Sequence, residues 1–354
     1  MDMEPQRLSE GALAAMREGG VWVPSPLALD IDKNMLEDWQ RLLTLYYLRS
    51  GAHTIIPGAH TGEFAGGDIE LYGRWLRLVR EMCDEYGGEH TFLMAAVGGE
   101  KALRQAELAA KVGFDIVMVA PTAFAGRDDD GVVRVLREIA SVIPVFGFEL
   151  QRAIAGSREF SGELWSRIFH IAWGAKGASF DTYRAQRMLA AAARSPHVDR
   201  LVLATGNDDR IVADLGGVFP FQVEGTERVM SYDAGLCGHF ATDTRAAVKW
   251  VNSVIRYRED AEWTLPISKE TLAHRVNMCN GALFDALNGF QNSVWGVKRR
   301  LTALGLLPAP NCFNESGRPG MNEDISRVYS YHPLLNDEEF LAEQLNEMKR
   351  EVGL

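Results

Sequence analysis

The sequence predicts a (β/α)₈ barrel, a TIM barrel, followed by a C-terminal helical appendage. Short apolar, β-branched runs alternate with segments of helical period, this alternation occurs eight times, and strand patterns stop after residue 241. Short continuous apolar strands are typical of a parallel sheet that is buried on both faces. We therefore divide the chain into a lead-in helix (1–18), a barrel (19–241) and a C-terminal helical region (242–354).

Seven of the strands are marked by clear apolar runs. They are predicted at 21–24, 53–57, 91–97, 116–120, 145–148, the run that contains Lys176, and 201–204. The eighth strand is predicted at Phe219–Val223, with 236–241 as the alternative. Helical spacing of apolar residues predicts helices at 35–46, 68–82, 100–111, 131–141, 162–169, 181–193 and 208–215 in the barrel, and at 246–257, 269–292, 294–304 and 336–352 beyond it.

One lysine stands at the end of a buried strand. The stretch from Ile171 to Asp181 is largely apolar and carries Lys176 among glycines and alanines. Burying an ammonium group is costly and lowers its pKa, and the neutral amine that results is a nucleophile able to form a Schiff base with a carbonyl compound. The small neighbours leave space for such a compound. The alternative is a lysine at a strand edge whose amine reaches solvent.

The other candidate residues lie near this lysine in the predicted fold. On a (β/α)₈ barrel, functional residues lie in the loops after the C-terminal ends of the strands. The residues in those loops are His60, Thr61 and Glu63 after the second strand, 121–124 after the fourth, Phe148, Glu149 and Gln151 after the fifth, and 206–209 after the seventh. This placement favours the catalytic interpretation of Lys176 over the solvated one.

Composition narrows the classes of function. A net charge of −11 opposes binding to nucleic acid or to an anionic membrane surface. The four cysteines show no C-x-x-C spacing, so neither a disulfide framework nor a metal site is predicted. The N-terminus carries acids and arginines where a signal peptide is apolar, and no window reads as a membrane span. We therefore expect a cytoplasmic protein.

The loop motifs resemble those of the dihydrodipicolinate synthase and N-acetylneuraminate lyase family of class I aldolases. Four segments carry the resemblance: Ala59-His-Thr-Gly-Glu63 is similar to the family's G-T-T-G-E loop, Gly174-Ala-Lys176 to its G-[IV]-K strand, Gly206-Asn-Asp-Asp209 to its turn of glycine and acids, and 292–298 to its N-P-x-x-x-K helix. The resemblance covers about residues 19–307, and the chain is identified as a divergent member.

This resemblance implies a Schiff-base lyase, aldolase or dehydratase that acts on a 2-oxo acid such as pyruvate or a keto-sugar acid. Lys176 would bind the substrate covalently, so no cofactor is expected. The loop of Ala59, His60 and Thr61 would hold the substrate carboxylate. Further substrate contacts are implied for Phe148, Gly206, Asp208 and Asp209. Family members are usually tetramers, so a homotetramer or a homodimer is expected.

Several of these residues have simpler alternatives. Thr61 is otherwise a turn residue that satisfies its own loop, and His60 is otherwise a surface histidine. Asp208 and Asp209 are otherwise helix caps, with capping favoured more for Asp209. His239 either lines the pocket or caps a helix.

The chain departs from the family where protons are transferred. Phe148 and Glu149 stand where the family has a proton-relaying tyrosine, and a phenyl ring transfers no proton. The synthase arginine that meets the second substrate has no clear counterpart, although Arg152 lies near. His60 and Glu149 are the predicted proton carriers, because histidine titrates near neutral pH and burial raises a carboxyl pKa. For Glu149 the alternative is a solvated loop acid.

Two functions follow from these observations. The first is a lyase or aldolase whose substrate differs from that of dihydrodipicolinate synthase. The second is a catalytically inactive barrel that binds a 2-oxo acid, which the missing tyrosine makes reasonable. Fold alone does not separate them, because function resides in the site.

Overall fold

The structure is a computed structural model that describes residues 5–88, 91–152, 154 and 157–354. The first four residues of the predicted lead-in helix therefore lie outside the described residues. Within the described part, the helix α1 (Glu10–Arg17) begins at Ser9, whose side chain accepts a hydrogen bond from the Ala12 N–H group. It leads directly into the first strand.

Eight parallel strands form a nearly closed barrel, which confirms the predicted fold class. The barrel strands are β1 (Gly20–Pro24), β2 (Thr54–Ile56), β3 (Met94–Val97), β4 (Ile116–Val119), β5 (Val145–Leu150), β6 (Gly174–Ala178), β7 (Val202–Thr205) and β10 (Ala234–Gly235). Their order around the barrel is β2-β1-β10-β7-β6-β5-β4-β3. At the seam between β2 and β3, the Ala96 N–H group donates to the Pro57 carbonyl oxygen at 2.8 Å.

The predicted position of the eighth strand at Phe219–Val223 is wrong, and the alternative at 236–241 begins one residue after the observed strand. The segment β8 (Phe219–Val223) pairs antiparallel with β9 (Thr226–Met230) in a hairpin outside the barrel. The place between β7 and β1 is taken by β10, and the Leu236 N–H group extends this pairing to the Thr205 carbonyl oxygen at 2.8 Å. A two-residue strand that contains a glycine is too short to show any periodicity. The alternation of apolar residues over 219–223 is a clearer strand pattern than that of β10. It belongs to a partly exposed pair of strands outside the barrel.

The helices surround the barrel and continue beyond it. Helix α9 (Thr244–Asp260) packs against α2 (Glu37–Ser50), α8 (Ile211–Leu215) and β1, so it takes the position of the eighth barrel helix, although the sequence analysis placed it in the C-terminal region. The predicted helix over 269–292 is interrupted after Leu283. The remaining helices are α3 (Ile69–Tyr86), α4 (Ala102–Val112), α5 (Asp129–Ala140), α6 (Gly162–Phe169), α7 (Thr182–Arg194), α10 (Lys269–Leu283), α11 (Ser293–Ala303), α12 (Met321–Ser330) and α13 (Glu338–Glu351).

Two apolar clusters make up the core. One lies between the strands and the helices, and the other fills the barrel interior with residues such as Trp22, Met94, Phe146 and Phe148. Because successive residues of a strand point to opposite faces, β5 directs Phe146, Phe148 and Leu150 inward. Among the described residues, no helix combines the length and apolar character needed to cross a lipid bilayer.

Candidate active site

A pocket opens at the carboxyl-terminal ends of the barrel strands, where the sequence placed the candidate residues. Its volume is about 60 Å³, and the space between its walls is about 570 Å³ when the open mouth is included. A buried water needs about 10–15 Å³ measured in the same way as the smaller value, so the pocket has room for more than a single water. The pocket brings Ala59, His60, Thr61, Lys176, Gly206 and Asp208 together.

Lys176 is buried inside the barrel mouth. It pairs in register with Phe148 of β5 and Ala204 of β7, and its Nζ atom lies 4.5 Å from the centre of the Phe148 ring. Burial lowers the pKa of the Lys176 amine to about 8, against the opposing effects of Cys237 and Asp208. About a tenth of the amines are therefore neutral at pH 7. The sequence-based alternative of a solvated lysine does not fit this position.

Gly206 provides the space that the lysine side chain occupies. A Cβ atom at this position would lie 2.1 Å from Cε and 3.1 Å from Nζ of Lys176. Such a contact is far shorter than van der Waals distance, so a Cβ atom at this position would displace the lysine side chain. Gly206 was predicted as a pocket residue, and in the structure it makes room for the Lys176 side chain.

The turn after β2 presents His60 and Thr61 to the pocket at the start of the 3₁₀ helix His60–Gly67. The Thr61 hydroxyl donates to the Pro24 carbonyl oxygen at 2.5 Å, so its hydrogen is already used. The first bond of this turn runs from the Gly62 N–H group to the Ala59 carbonyl oxygen at 2.9 Å, so the N–H groups of His60 and Thr61 precede the first bonded donor of the helix. Unpaired N–H groups at the start of a helix suit a carboxylate.

His60 is half-buried, and its charge state differs from the sequence-based expectation. Burial, with a smaller contribution from the neighbouring Lys176 ammonium, lowers the His60 pKa to about 4. The imidazole is therefore neutral at pH 7. It offers one N–H donor and one nitrogen acceptor, rather than a positive charge, to a bound molecule.

A buried ion pair connects this turn to the C-terminal region. Lys298 of α11 lies with its Nζ atom 3.0 Å from Glu63 Oε2 and also donates to the Asn311 carbonyl oxygen at 2.7 Å. Glu63 Oε1 accepts from the Phe313 N–H group at 2.8 Å. Glu63 has a positive φ of 50°, which its surroundings must maintain. The motif residues Glu63 and Lys298 thus fix the position of the turn and do not line the pocket.

Asp208 is the only acidic side chain among the described residues that line the pocket. Its Oδ1 atom accepts from the His239 N–H group at 3.1 Å, and the Asn280 side chain donates to its carbonyl oxygen at 2.6 Å. Burial raises the Asp208 pKa to about 6, although the N–H groups of His239 and Gly238 and the charge of Lys176 oppose this shift. Asp208 therefore titrates closer to neutral pH than an ordinary aspartate.

Away from the pocket lie two predicted site residues, Asp209 and Glu149, and also Arg152. Asp209 is exposed on the loop, and Arg152 is exposed as well. Glu149 is buried on the outer face of β5, where Oε1 accepts from Phe160 N–H at 3.0 Å and Oε2 from Trp165 Nε1 at 3.2 Å. Burial raises the Glu149 pKa, as expected. The prediction that Glu149 carries protons in the pocket is nevertheless wrong. Phe148 points into the barrel, so the next residue of the strand points outward.

The sequence analysis missed one wall of the pocket. Phe180 follows β6, and four further lining residues come from the connection between α10 and α11 and from the start of α11: Phe284, Phe290, Ser293 and Val294. The only sequence signal for this wall was the motif at 292–298, which placed a helix of the C-terminal region near the barrel mouth. His239 is buried beside the pocket, with Nδ1 2.6 Å from Asn280 Oδ1, and neither lines the pocket nor caps a helix with its side chain.

No group of three or more His, Cys, Asp or Glu side chains suited to a metal ion occurs among the described residues. The four cysteines are free and buried. Burial raises the pKa of the Cys237 thiol well above its usual range, so this neighbour of Lys176 stays protonated.

Comparison with known proteins finds likeness in structure alone. No protein-family model matches the chain, and no curated protein does. Dihydrodipicolinate synthase from Acinetobacter baumannii, solved in complex with pyruvate, gives a TM-score of 0.71 at 14% identity over 88% of this chain and 98% of its own. The chain has the fold of this family. N-acetylneuraminate lyase from Mycoplasma synoviae gives 0.66 at 15% identity over 89% and 98% of the two chains.

A third structure supports the same conclusion. A prophage protein of the dihydrodipicolinic acid synthase family from E. coli K12, also in complex with pyruvate, gives a TM-score of 0.70 at 12% identity, covering 89% of this chain and 99% of its own. The resemblance predicted from four short motifs is therefore confirmed at the level of the fold. The low identities agree with a divergent chain.

Proposed function

We propose that this protein is a Schiff-base-forming lyase, aldolase or dehydratase that acts on a 2-oxo acid such as pyruvate through Lys176. The observation that carries the proposal is a buried amine of lowered pKa at the mouth of a parallel barrel, in one pocket with the first two residues of a 3₁₀ helix. The first feature suits a nucleophile and the second suits a carboxylate. A 2-oxo acid carries a ketone and a carboxylate on adjacent carbons.

The chemistry follows from these groups. The neutral Lys176 amine adds to the ketone carbon, and loss of water gives a protonated imine. This imine withdraws electrons from the next carbon, so a C–H or C–C bond there breaks and leaves an enamine, or forms again in the reverse direction. No separate cofactor is needed, because the substrate-lysine adduct itself accepts the electron pair.

Asp208 is the proton carrier that we assign in place of the family tyrosine. It lies in the same pocket as Lys176, and two backbone N–H groups hold its carboxylate. A carboxyl group with a pKa of about 6 exchanges protons readily near neutral pH. His60, neutral under the same conditions, serves as a hydrogen-bond partner of the substrate.

The pocket gives little support to authentic dihydrodipicolinate synthase activity. Among its described lining residues there is no tyrosine and no arginine. The same observation favours the second candidate, a barrel that binds a 2-oxo acid without turnover. A cytoplasmic location and assembly into a homodimer or homotetramer stay predictions.

Reductive trapping distinguishes these functions. The protein is incubated with pyruvate and sodium borohydride, and its mass is measured intact and after proteolysis. We expect a stable adduct on Lys176, no adduct in Lys176→Arg, and an unchanged adduct in Lys249→Arg, the same substitution at an exposed lysine. Absence of an adduct with pyruvate and with other 2-oxo acids would reject the lyase. An adduct without turnover of any 2-oxo or aldol substrate would favour the binding protein.

A further inference from the structure

One wall of the pocket is apolar. Six of its side chains are hydrocarbon: Leu150, Ile154, Phe180, Phe284, Phe290 and Val294. Leu150, Phe284 and Val294 are almost fully buried even though they line an opening. Apolar surface at a pocket wall favours an apolar part of a ligand, because contact removes both surfaces from water.

Two phenylalanines of this wall are held in unusual backbone conformations. Phe180 has a φ of 52° and Phe290 a φ of 63°, a region that bulky residues rarely adopt. Their rings meet edge to face with centres 5.4 Å apart, which joins the loop after β6 to the connection between α10 and α11. Strained residues persist where the surrounding structure holds them, and they cluster at binding sites.

The surroundings that hold these rings are specific. The Phe180 N–H group donates to Asn207 Oδ1 at 3.0 Å, and buried Asn207 is in turn bound to Asp214 at 3.0 Å. The Phe290 N–H group donates to the Asp285 carbonyl oxygen at 3.2 Å. The two rings are therefore placed by hydrogen bonds on both sides of the opening rather than by the packing of the core alone.

The polar groups of the pocket are few and are concentrated at the reacting end. Apart from His60, Thr61, Lys176 and Asp208, the polar side chains among the described lining residues are Gln151 and Ser293. The buried Ser293 hydroxyl has no hydrogen-bond partner among the described residues. No arginine is present among the described lining residues to bind a second carboxylate of a ligand. Most hydroxyl groups of a polyhydroxylated ligand would face hydrocarbon side chains.

From this wall we infer that the substrate is a 2-oxo acid, or its aldol adduct, whose remaining part is an aromatic or branched apolar group. The inference rests on the proposed function for the position of the carboxylate and the ketone. Lys176 and the His60 turn bind the reacting end, and Phe180 and Phe290 contact the apolar end.

The test compares 2-oxo acids that share the ketone and the adjacent carboxylate but differ in the rest of the molecule. Borohydride trapping is measured against concentration for pyruvate, phenylpyruvate, 4-methyl-2-oxopentanoate, 2-oxoglutarate and 2-keto-3-deoxygluconate. We expect half-maximal trapping of phenylpyruvate at a concentration about tenfold or more below those of pyruvate and 2-oxoglutarate, as the burial of one ring implies. Preferential trapping of 2-oxoglutarate or of the sugar acid would overturn the inference and leave the lyase standing.

Two matched variants locate the effect. Phe290→Asn removes the ring but keeps a residue that tolerates positive φ, so the preference for phenylpyruvate over pyruvate should fall about tenfold while pyruvate is still trapped. Leu287→Asn, at a fully exposed residue of the same connection, should leave the preference unchanged. Equal preferences in wild type and Phe290→Asn would contradict the inference.

A second readout separates the inference from the proposed function. If no 2-oxo acid is trapped, including pyruvate, the lyase fails, and calorimetric titration of the wild-type protein then decides the inference alone. Phenylpyruvate binding at least tenfold tighter than 2-oxoglutarate supports the apolar pocket, and equal or reversed affinities reject it.

Discussion

Replacing Lys176 by methionine should make the protein more stable at pH 7. Methionine is similar in length but carries no charge, so it fills the space beside Gly206 without a buried ammonium group. The pKa of Lys176 is lowered from its ordinary value of 10.5 to about 8, chiefly by burial. Each tenfold change in the acid dissociation constant is worth 1.36 kcal/mol, so the buried ammonium group destabilises the folded protein by about 3 kcal/mol. The methionine variant does not carry this penalty.

The pH dependence of this gain identifies its cause. The folded protein binds the Lys176 proton less tightly than the unfolded chain, so the penalty is fully present below pH 8 and disappears as pH rises towards 10.5. The difference in free energy of unfolding between Lys176→Met and wild type should therefore be about 3 kcal/mol at pH 7 and about 1.4 kcal/mol smaller at pH 9.

Urea denaturation of both proteins at the two pH values measures this difference. Lys249→Met, the same change at an exposed lysine, serves as the control and should show no comparable gain. A Lys176→Met protein that is less stable than wild type at pH 7, or whose gain is equal at pH 7 and pH 9, would show that the amine is not a desolvated charge. A catalytic group that lowers stability is a common compromise between function and folding.

Three further predictions concern the same region. The initial rate of trapping with pyruvate should rise with pH, reach half its maximum near pH 8 and level off about one pH unit higher, following the neutral fraction of Lys176; a flat profile from pH 6 to 9 would contradict the lowered pKa. Gly206→Ala should reduce adduct formation at least about tenfold because its Cβ overlaps the lysine, whereas Gly281→Ala, with no atom within 4 Å, should leave the adduct unchanged. Glu63→Gln should lower the free energy of unfolding by about 3 kcal/mol, since it leaves Lys298 buried without its partner, and adding Lys298→Met should restore part of that loss in urea denaturation.

Elements with a strong local signal were predicted well from the sequence. The first seven barrel strands have continuous apolar runs, and all seven form at or within a few residues of the predicted positions. Lys176 was identified because a charged residue within such a run is rare and demands a reason. Its burial and its neighbour Gly206 agree with that reasoning.

The error at Glu149 was avoidable. Residue 148 faces the barrel interior, and the alternation of a strand then places residue 149 on the outside. The similarity of the motif to the family pattern outweighed this simple rule. By contrast, the eighth strand could not have been found from periodicity, because Ala234–Gly235 contains only two residues and is defined by its neighbours on both sides.

The amino-acid sequence by itself determined the alternation of strands and helices, the acidic surface and the one lysine placed to become a neutral amine, because each depends on residues close together in the chain. Only the tertiary structure decided which further side chains share a pocket with that amine. Phe284 and Phe290 belong to the C-terminal region, and they reach the pocket of Lys176 because that region returns to the barrel mouth. Charge and distance at the site depend on that arrangement, and no local pattern contains it.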